Sequence, residues 1–339
     1  MPRVLITGIT GFAGSHLAEH LVAHGDVVDG LAHEPPPYRN LAAIEDKVRI
    51  HEGDITSLED LAGALAGSGA KAVVHLAGQA VPTIASADPL ATFRVNVLGT
   101  STLLTALERH PAVRLVLASS ADVYGAPDRV PVTEDAPLRP GNVYAATKVA
   151  VEALARDFAQ QRAAPVVILR PANQNGPRQH PGLAASAFAR QIAEAEAGQA
   201  PAVVRHGRLD AERDFIDVRD MALAYAAAIE LDESGTFNVG SGNAVSIGRV
   251  LETLIGLARV PVRAEVDPAR VRGGDPTRIA LDTSRFRQRT GWSARITLAD
   301  SLRDTLDYWR ARAAGGSLLT PTQERAGTRG AGIGDGATQ

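Results

Sequence analysis

The chain has 339 residues, of which 45% are hydrophobic and 22% charged, and its formal net charge is −3. This is the balance of an ordinary soluble globular protein, and it gives no sign of nucleic acid or an anionic membrane as a main partner. Cysteine is absent, which excludes disulfides, thiol catalysis and thiolate metal sites, and no metal site is expected.

No apolar run approaches the ~20 residues that span a bilayer. From Met1 the chain runs straight into a strand and a glycine turn with no export signal, which points to the cytoplasm. Short Val/Ile/Leu runs at Val4–Thr7, Val27–Ala32, Val48–Glu52, Ala72–Ala77, Leu115–Ser119 and Val166–Leu169 suit buried strands of a parallel sheet covered on both faces. The first leads into Gly8-Ile9-Thr10-Gly11-Phe12-Ala13-Gly14, which opens a helix. Glycines there let the backbone turn tightly and approach a pyrophosphate, and the helix N-terminus offers free N–H groups and a favourable dipole. Asp88 and Pro89 supply the N-cap and first position of a helix whose apolar stripe runs to Leu107. This βαβ alternation predicts an α/β fold, a Rossmann-type doubly wound parallel sheet.

After Arg170 the texture changes. Pro171 to Pro181 is expected to be a loop, Phe188, Ile192 and Ala195 mark a helix face ended by Gly198, and Val203 to Asp220 is charged and partly strand-like. Met221–Leu231 and Val250–Ala258 are expected helices, and Leu298, Leu302, Leu306 and Trp309 set a late helix on the core. The expected division is a dinucleotide-binding domain over 1–170, with 214–240 returning to it, and a smaller interleaved substrate lobe over 171–213 and 241–314. Residues 315–339, rich in Gly, Thr and Ala without periodicity, are expected to be a disordered tail.

Tyr144 and Lys148 stand four apart in Asn142-Val143-Tyr144-Ala145-Ala146-Thr147-Lys148, so on a helix they share a face. A free tyrosine exchanges protons poorly at neutral pH, and a neighbouring ammonium is expected to lower its pKa. Only three of the 35 basic residues are lysines, so a lysine at a chemically sensitive position is informative. Ser119-Ser120-Ala121-Asp122 closes the strand before this helix, at the edge that faces the ligand crevice in such sheets.

The glycine spacing, GxxGxxG, together with Tyr144 and Lys148, resembles the extended branch of the short-chain dehydrogenase/reductase family along nearly the whole chain. The resemblance implies Ser120, Tyr144 and Lys148 as the catalytic set, with Asp122 as a further acid. It places Gly8, Thr10, Gly11, Phe12, Gly14, His33, Asp54, Ile55, Leu76, Ala77, Gly78, Asn96, Tyr144, Lys148 and Arg170 at the cofactor. NAD-specific members end the second strand on a carboxylate; here Ala32 stands at that position, followed by His33 and Glu34, so NADP(H) is favoured and NAD(H) is possible. The implied substrate is a nucleotide-sugar held by Asn173, Arg178, Arg190, Arg213 and Arg272, guanidinium being apt for a diphosphate. Asn173–Gln179, Phe188–Ile192 and Arg213–Asp220 resemble reductases of GDP-4-keto-6-deoxy-mannose more than epimerases, which favours a GDP-sugar. A 4,6-dehydratase and a 4-epimerase stay open. A cofactor sensor without catalysis fits poorly, since both Tyr144 and Lys148 are kept. A homodimer through Leu90–Leu107 and Tyr144–Phe158 is also implied by resemblance.

Overall fold

The computed structural model describes residues 2–271 and 278–315. In chain order the strands are β1 (Arg3–Thr7), β2 (Val27–Ala32), β3 (Val48–Glu52), β4 (Ala72–His75), β5 (Arg114–Ala118), β6 (Val166–Pro171), β7 (Asn173–Asn175), β8 (Val203–His206), β9 (Glu212–Asp217), β10 (Gly235–Val239), β11 (Ala244–Ser246), β12 (Arg263–Val266) and β13 (Arg278–Ile279). The helices are α1 (Phe12–His24), α2 (Leu58–Ser68), α3 (Pro82–Ala87), α4 (Pro89–Phe93), α5 (Gly99–Leu107), α6 (Val143–Arg162), α7 (Ala184–Glu196), α8 (Val218–Ile229), α9 (Ile247–Gly256), α10 (Ser284–Thr290) and α11 (Leu298–Ala314).

Seven strands pair in parallel in the order β10-β6-β5-β4-β1-β2-β3. The central strands β1, β4, β5 and β6 are apolar on both sides because they are covered twice. On one face Val4, Ile6, Val74 and Val116 pack with Leu17 and Leu21 of α1 and Met221 and Tyr225 of α8. On the other, Leu5, Val73, Leu115 and Leu117 pack with Leu61 and Leu65 of α2, Leu103 and Leu107 of α5 and Val151 of α6. This is the doubly wound Rossmann-type α/β fold. Its strand order reverses between β1 and β4, which opens a crevice at their carboxyl ends.

The smaller set of elements has its own core, where Phe188 and Ile192 of α7 meet Val250 and Leu254 of α9 and Leu302, Leu306 and Trp309 of α11. Asn173–Asn175, expected inside a loop, is the strand β7, paired in parallel with β9. It is too short to show a period of two, and its partner lies some forty residues away, so tertiary pairing rather than local pattern makes it a strand.

One further expectation changes. The helix after Asp88 starts as expected, Asp88 Oδ1 accepting the Ala91 amide at 3.0 Å, but it is interrupted by a π turn at Arg94–Leu98. The same stretch, Pro89–Leu107, reaches the length and mean hydropathy of a membrane span by composition alone, as core helices also do, and 44% of its most apolar window is buried in this fold. Arg272 and the tail from residue 316 lie outside the described residues.

Candidate active site

The glycine turn is shaped by close approach. Gly8 has φ +73°, and a Cβ there would lie 2.8 Å from the Ala77 amide nitrogen; at Gly14 a Cβ would lie 2.2 Å from the Gly8 carbonyl oxygen. Only glycine lets β1, the β4 end and α1 meet this closely. Gly11 caps α1 without a side-chain bond, and the first turn carries no acid, so its amides and dipole are available to an anion. A dinucleotide pyrophosphate fits this cradle. Thr10 and Phe12 lie within the turn, and the Thr10 carbonyl accepts the Asn40 side-chain amide at 2.8 Å. That bond brings the short turn Arg39–Leu41 to the glycine loop, with Arg39 exposed beside it. Sequence reasoning passed over Arg39; its signal was a basic residue shortly after a β2 end that lacks a carboxylate. His33 and Glu34 are exposed beyond β2. Asp54 accepts both the Thr56 amide (2.7 Å) and hydroxyl (2.8 Å) on Oδ1, and the amide bond above all holds its carboxyl below the ordinary range. Buried Ile55 stacks under Gly99.

The residue that opens the His75-Leu76-Ala77-Gly78 segment locks it. His75 is 3% exposed, with Nδ1 2.7 Å from Thr7 Oγ1 and Nε2 2.9 Å from Thr100 Oγ1. The Thr100 hydroxyl donates to the Asn96 carbonyl at 2.6 Å, so it accepts from His75, which fixes the proton on Nε2 and makes Nδ1 the acceptor from Thr7. Thr7 in turn accepts the Ala77 amide at 3.3 Å. Burial, with the Lys148 charge adding, pushes the His75 pKa down to about 3, so the ring stays neutral.

Asn96, assigned to the cofactor by resemblance, has its amide bonded within the protein. Its Nδ2 donates to the Gln79 carbonyl (3.1 Å) and to Thr147 Oγ1 (2.9 Å), and its Oδ1 accepts the Gln79 amide (2.7 Å). It shapes the cradle by tying the segment after Gly78 to α6. Its place inside the π turn accords with the frequent occurrence of such turns at functional sites.

The expected catalytic group assembles at the carboxyl ends of β4 and β5. Asn142 caps α6 by accepting the Ala145 amide at 2.8 Å, which sets Tyr144 in the first turn, and Lys148 follows one turn later. The Lys148 ammonium lies 5.9 Å from the Tyr144 ring centroid and donates to the Ala118 carbonyl at 2.7 Å. Ser120, two residues past β5, caps the turn Ala121–Tyr124, accepts the Asp122 amide at 3.1 Å and lies against the Tyr144 phenol. Burial and the Asp122 charge push the Tyr144 pKa up, and the Ser120 contact does not reverse this. The expected lowering by Lys148 is therefore absent: its ammonium is turned to Ala118, and burial dominates. Burial lowers the Lys148 pKa to about 8, with the Glu152 charge pulling it back up.

Several arginines stand apart from their expected roles. Arg170 is 2% exposed and cannot serve a cofactor: Nε and Nη2 bind the Glu152 carboxylate at 2.8 and 2.7 Å, while Nη1 binds the Tyr124 hydroxyl (2.7 Å) and the Glu134 carbonyl (2.8 Å). Arg178, at φ +73°, pairs with Glu19 and Ser15 of α1 instead of facing a substrate. Arg190 pairs with Glu194 at 2.6 Å and lies 6.0 Å from the Trp309 ring. Arg213 is 9% exposed, and its Nη1 donates to the Glu212 carbonyl at 2.9 Å. Asn173 is exposed on β7, next to the crevice edge of β6.

A glycine cradle at the switch point of a doubly wound sheet, with Ser120, Tyr144 and Lys148 at the same edge, defines an oxidoreductase of the extended short-chain dehydrogenase/reductase class. Within that class the chain belongs to the GDP-mannose 4,6 dehydratase family, whose model matches residues 5–305. It is 35% identical over 314 residues to the GDP-6-deoxy-D-mannose reductase of Pseudomonas aeruginosa, covering 91% of this chain and 98% of that one. Among solved structures it resembles RMD from Pseudomonas aeruginosa complexed with NADPH, with TM-score 0.79, 31% identity, and 92% and 100% of the two chains covered. It also resembles the UDP-glucose 4-epimerase of Thermus thermophilus in complex with NAD, with TM-score 0.81, 31% identity, and 91% and 99% covered.

Proposed function

We propose that this protein is an NAD(P)H-dependent reductase of a nucleotide-activated 4-keto-6-deoxy-sugar, of the GDP-4-keto-6-deoxy-mannose type. The observation that carries the reading is the placement of the Tyr144 phenol beside Ser120 and one turn before Lys148 on α6, at the edge where the glycine cradle opens. Reduction of a ketone requires a proton donor at the carbonyl oxygen, and a tyrosine phenol is in the donor form at neutral pH. Ser120 orients that oxygen by hydrogen bonding, Tyr144 delivers the proton, and Lys148 holds the cofactor ribose and the edge of β5. The bound nicotinamide supplies the hydride. Gly8, Gly11, Gly14 and the first amides of α1 would hold its pyrophosphate, with Asp54, Ile55 and Leu76–Gly78 along the rest of the dinucleotide. NADP(H) is favoured because β2 ends on Ala32 without a carboxylate and Arg39 stands exposed beside the glycine loop. The sugar-nucleotide side rests on the likeness to the Pseudomonas reductase, which also favours a GDP-sugar.

The reading includes a cytoplasmic homodimer. Leu90, Phe93 and Leu98 are 84%, 43% and 50% exposed on the Pro89–Leu107 stretch, an apolar patch that a second copy would cover.

Asp122 favours one second reading. A carboxylate close enough to act on Tyr144 is the extra acid that a 4,6-dehydratase needs. Incubation with GDP-4-keto-6-deoxy-mannose, GDP-mannose and UDP-glucose in the presence of NADPH separates the routes by product mass. Reduction consumes NADPH and adds a hydride and a proton, dehydration removes one water, and epimerisation changes retention at constant mass. A product from GDP-mannose lighter by one water, with no NADPH consumed on the keto-sugar, would overturn the reductase.

A further inference from the structure

Glu152 takes no part in the hydride or proton transfer, yet it lies one turn beyond Lys148 as Lys148 lies one turn beyond Tyr144, so the three share a face of α6. Lys148 and Glu152 reach consecutive residues of the neighbouring strand end. The Lys148 ammonium donates to the Ala118 carbonyl at 2.7 Å, and the Ser119 hydroxyl donates to Glu152 Oε1 at 2.5 Å. The next residue is Ser120. The catalytic helix is thus stitched to the chain next to Ser120 at two adjacent points, which limits how Ser120 can move relative to Tyr144.

The carboxylate is 0% exposed and works among cations. Arg170 grips it with two bonds at 2.8 and 2.7 Å, and Arg156, 45% exposed, adds one at 2.6 Å. Burial alone would push a carboxyl toward its neutral form, but Arg170, Ser119 and Arg156 together hold Glu152 below the ordinary range, and it stays charged. The groups around Lys148 come from every neighbouring element. Tyr144 and Glu152 lie on α6, His75 ends β4 as a neutral ring, Asp122 follows β5 and acts on Tyr144, and Arg170 on β6 lies behind Glu152. Of these, Glu152 is the one whose charge favours the Lys148 ammonium.

We propose that Glu152 is a positioning residue for the reaction: through Ser119 it fixes the chain next to Ser120, and from one turn further along α6 it sets its negative charge behind Lys148. The alternative is a purely structural role, in which Glu152 neutralises Arg170 and no more. The proposal rests on the reading of Tyr144 and Lys148 as the catalytic pair, so its test includes a readout that needs no substrate.

The chain has only three lysines, which makes their ammonium nitrogens separable by 15N NMR. In the wild type Lys148 is expected to titrate near 8, and in Glu152→Gln about one pH unit lower. The sign is set by the charge: without the carboxylate the ammonium loses its proton earlier as pH rises, so the basic limb of kcat moves down with it. Ser119→Ala keeps the carboxylate and is expected to lower kcat about 10-fold, with the KM for the cofactor and the Lys148 titration unchanged. If Glu152→Gln does not fold, Ser119→Ala, which removes one bond and no charge, still tests the tie to Ser120. An unchanged Lys148 titration in a folded variant, or Ser119→Ala with wild-type kcat, would overturn the proposal. Absence of turnover in the wild type would instead count against the catalytic reading, and the titration would still decide the role of the Glu152 charge.

Discussion

The two ends of the crevice are built by different means. At the cofactor end the shaping groups are backbone atoms and short side chains at contact distance. Gly14 faces the Gly8 carbonyl, the Ala77 amide meets Thr7, and His75 is clamped between Thr7 and Thr100. Toward the smaller lobe, two of the arginines that the resemblance assigns to a substrate already hold protein partners. Arg178 is on Glu19 and Ser15, and Arg190 on Glu194. A site made of backbone tolerates almost no substitution. Arginines held by such pairs can be replaced at the cost of the pair alone.

This contrast can be broken or sharpened by substitution. The largest effect belongs to the chemistry between the two ends: Tyr144→Phe should lower kcat about 10³-fold while cofactor binding, followed by fluorescence, stays within about 2-fold. Next comes the cofactor end. Gly14→Ala places a methyl 2.2 Å from the Gly8 carbonyl oxygen, and the forced shift of the turn should weaken NADPH binding about 100-fold; unaltered affinity would mean the turn is not the pyrophosphate cradle. Arg39→Ala should be milder and selective. Loss of one charge-assisted contact costs NADPH affinity about 10-fold and leaves NADH nearly unchanged, so equal losses for both cofactors would remove Arg39 from the 2′-phosphate. The smallest effect is expected at Arg190→Ala, where a half-buried helix pair contributes about 0.5 kcal/mol. A change in Tm of a degree or two, with KM for the sugar-nucleotide held, fits the pairing with Glu194; a large rise in KM would return Arg190 to the substrate.

The same contrast governs what the sequence made legible. Gly8, Gly11 and Gly14 were readable because each identity answers a local steric demand, and Tyr144 with Lys148 because helix geometry brings residues four apart onto one face. The sheet was readable because burial on both faces leaves unbroken Val/Ile/Leu runs. The arginines were not, because nothing local tells a diphosphate arginine from one whose carboxylate lies far along the chain. Arg170 and Glu152 are eighteen residues apart, and Arg178 and Glu19 about 160. The Tyr144 environment failed for a related reason: four-residue spacing predicts that Lys148 is near, but where its ammonium points depends on the Ala118 carbonyl, a tertiary neighbour.

The π turn at Arg94–Leu98 has a consequence for how this stretch tolerates change. A wide turn inserted in a helix offsets the phase of the upstream piece from that of the downstream piece. The upstream piece turns Leu90 and Phe93 to solvent, while the downstream piece sends Thr100 to His75 and Leu103 into the core. Outer surface and cofactor cradle are thereby uncoupled within one continuous rod. Removing a single residue from this turn would restore a regular helix and swing one piece by about 100° relative to the other, so that the chain could keep its exposed patch or its hold on His75, but not both.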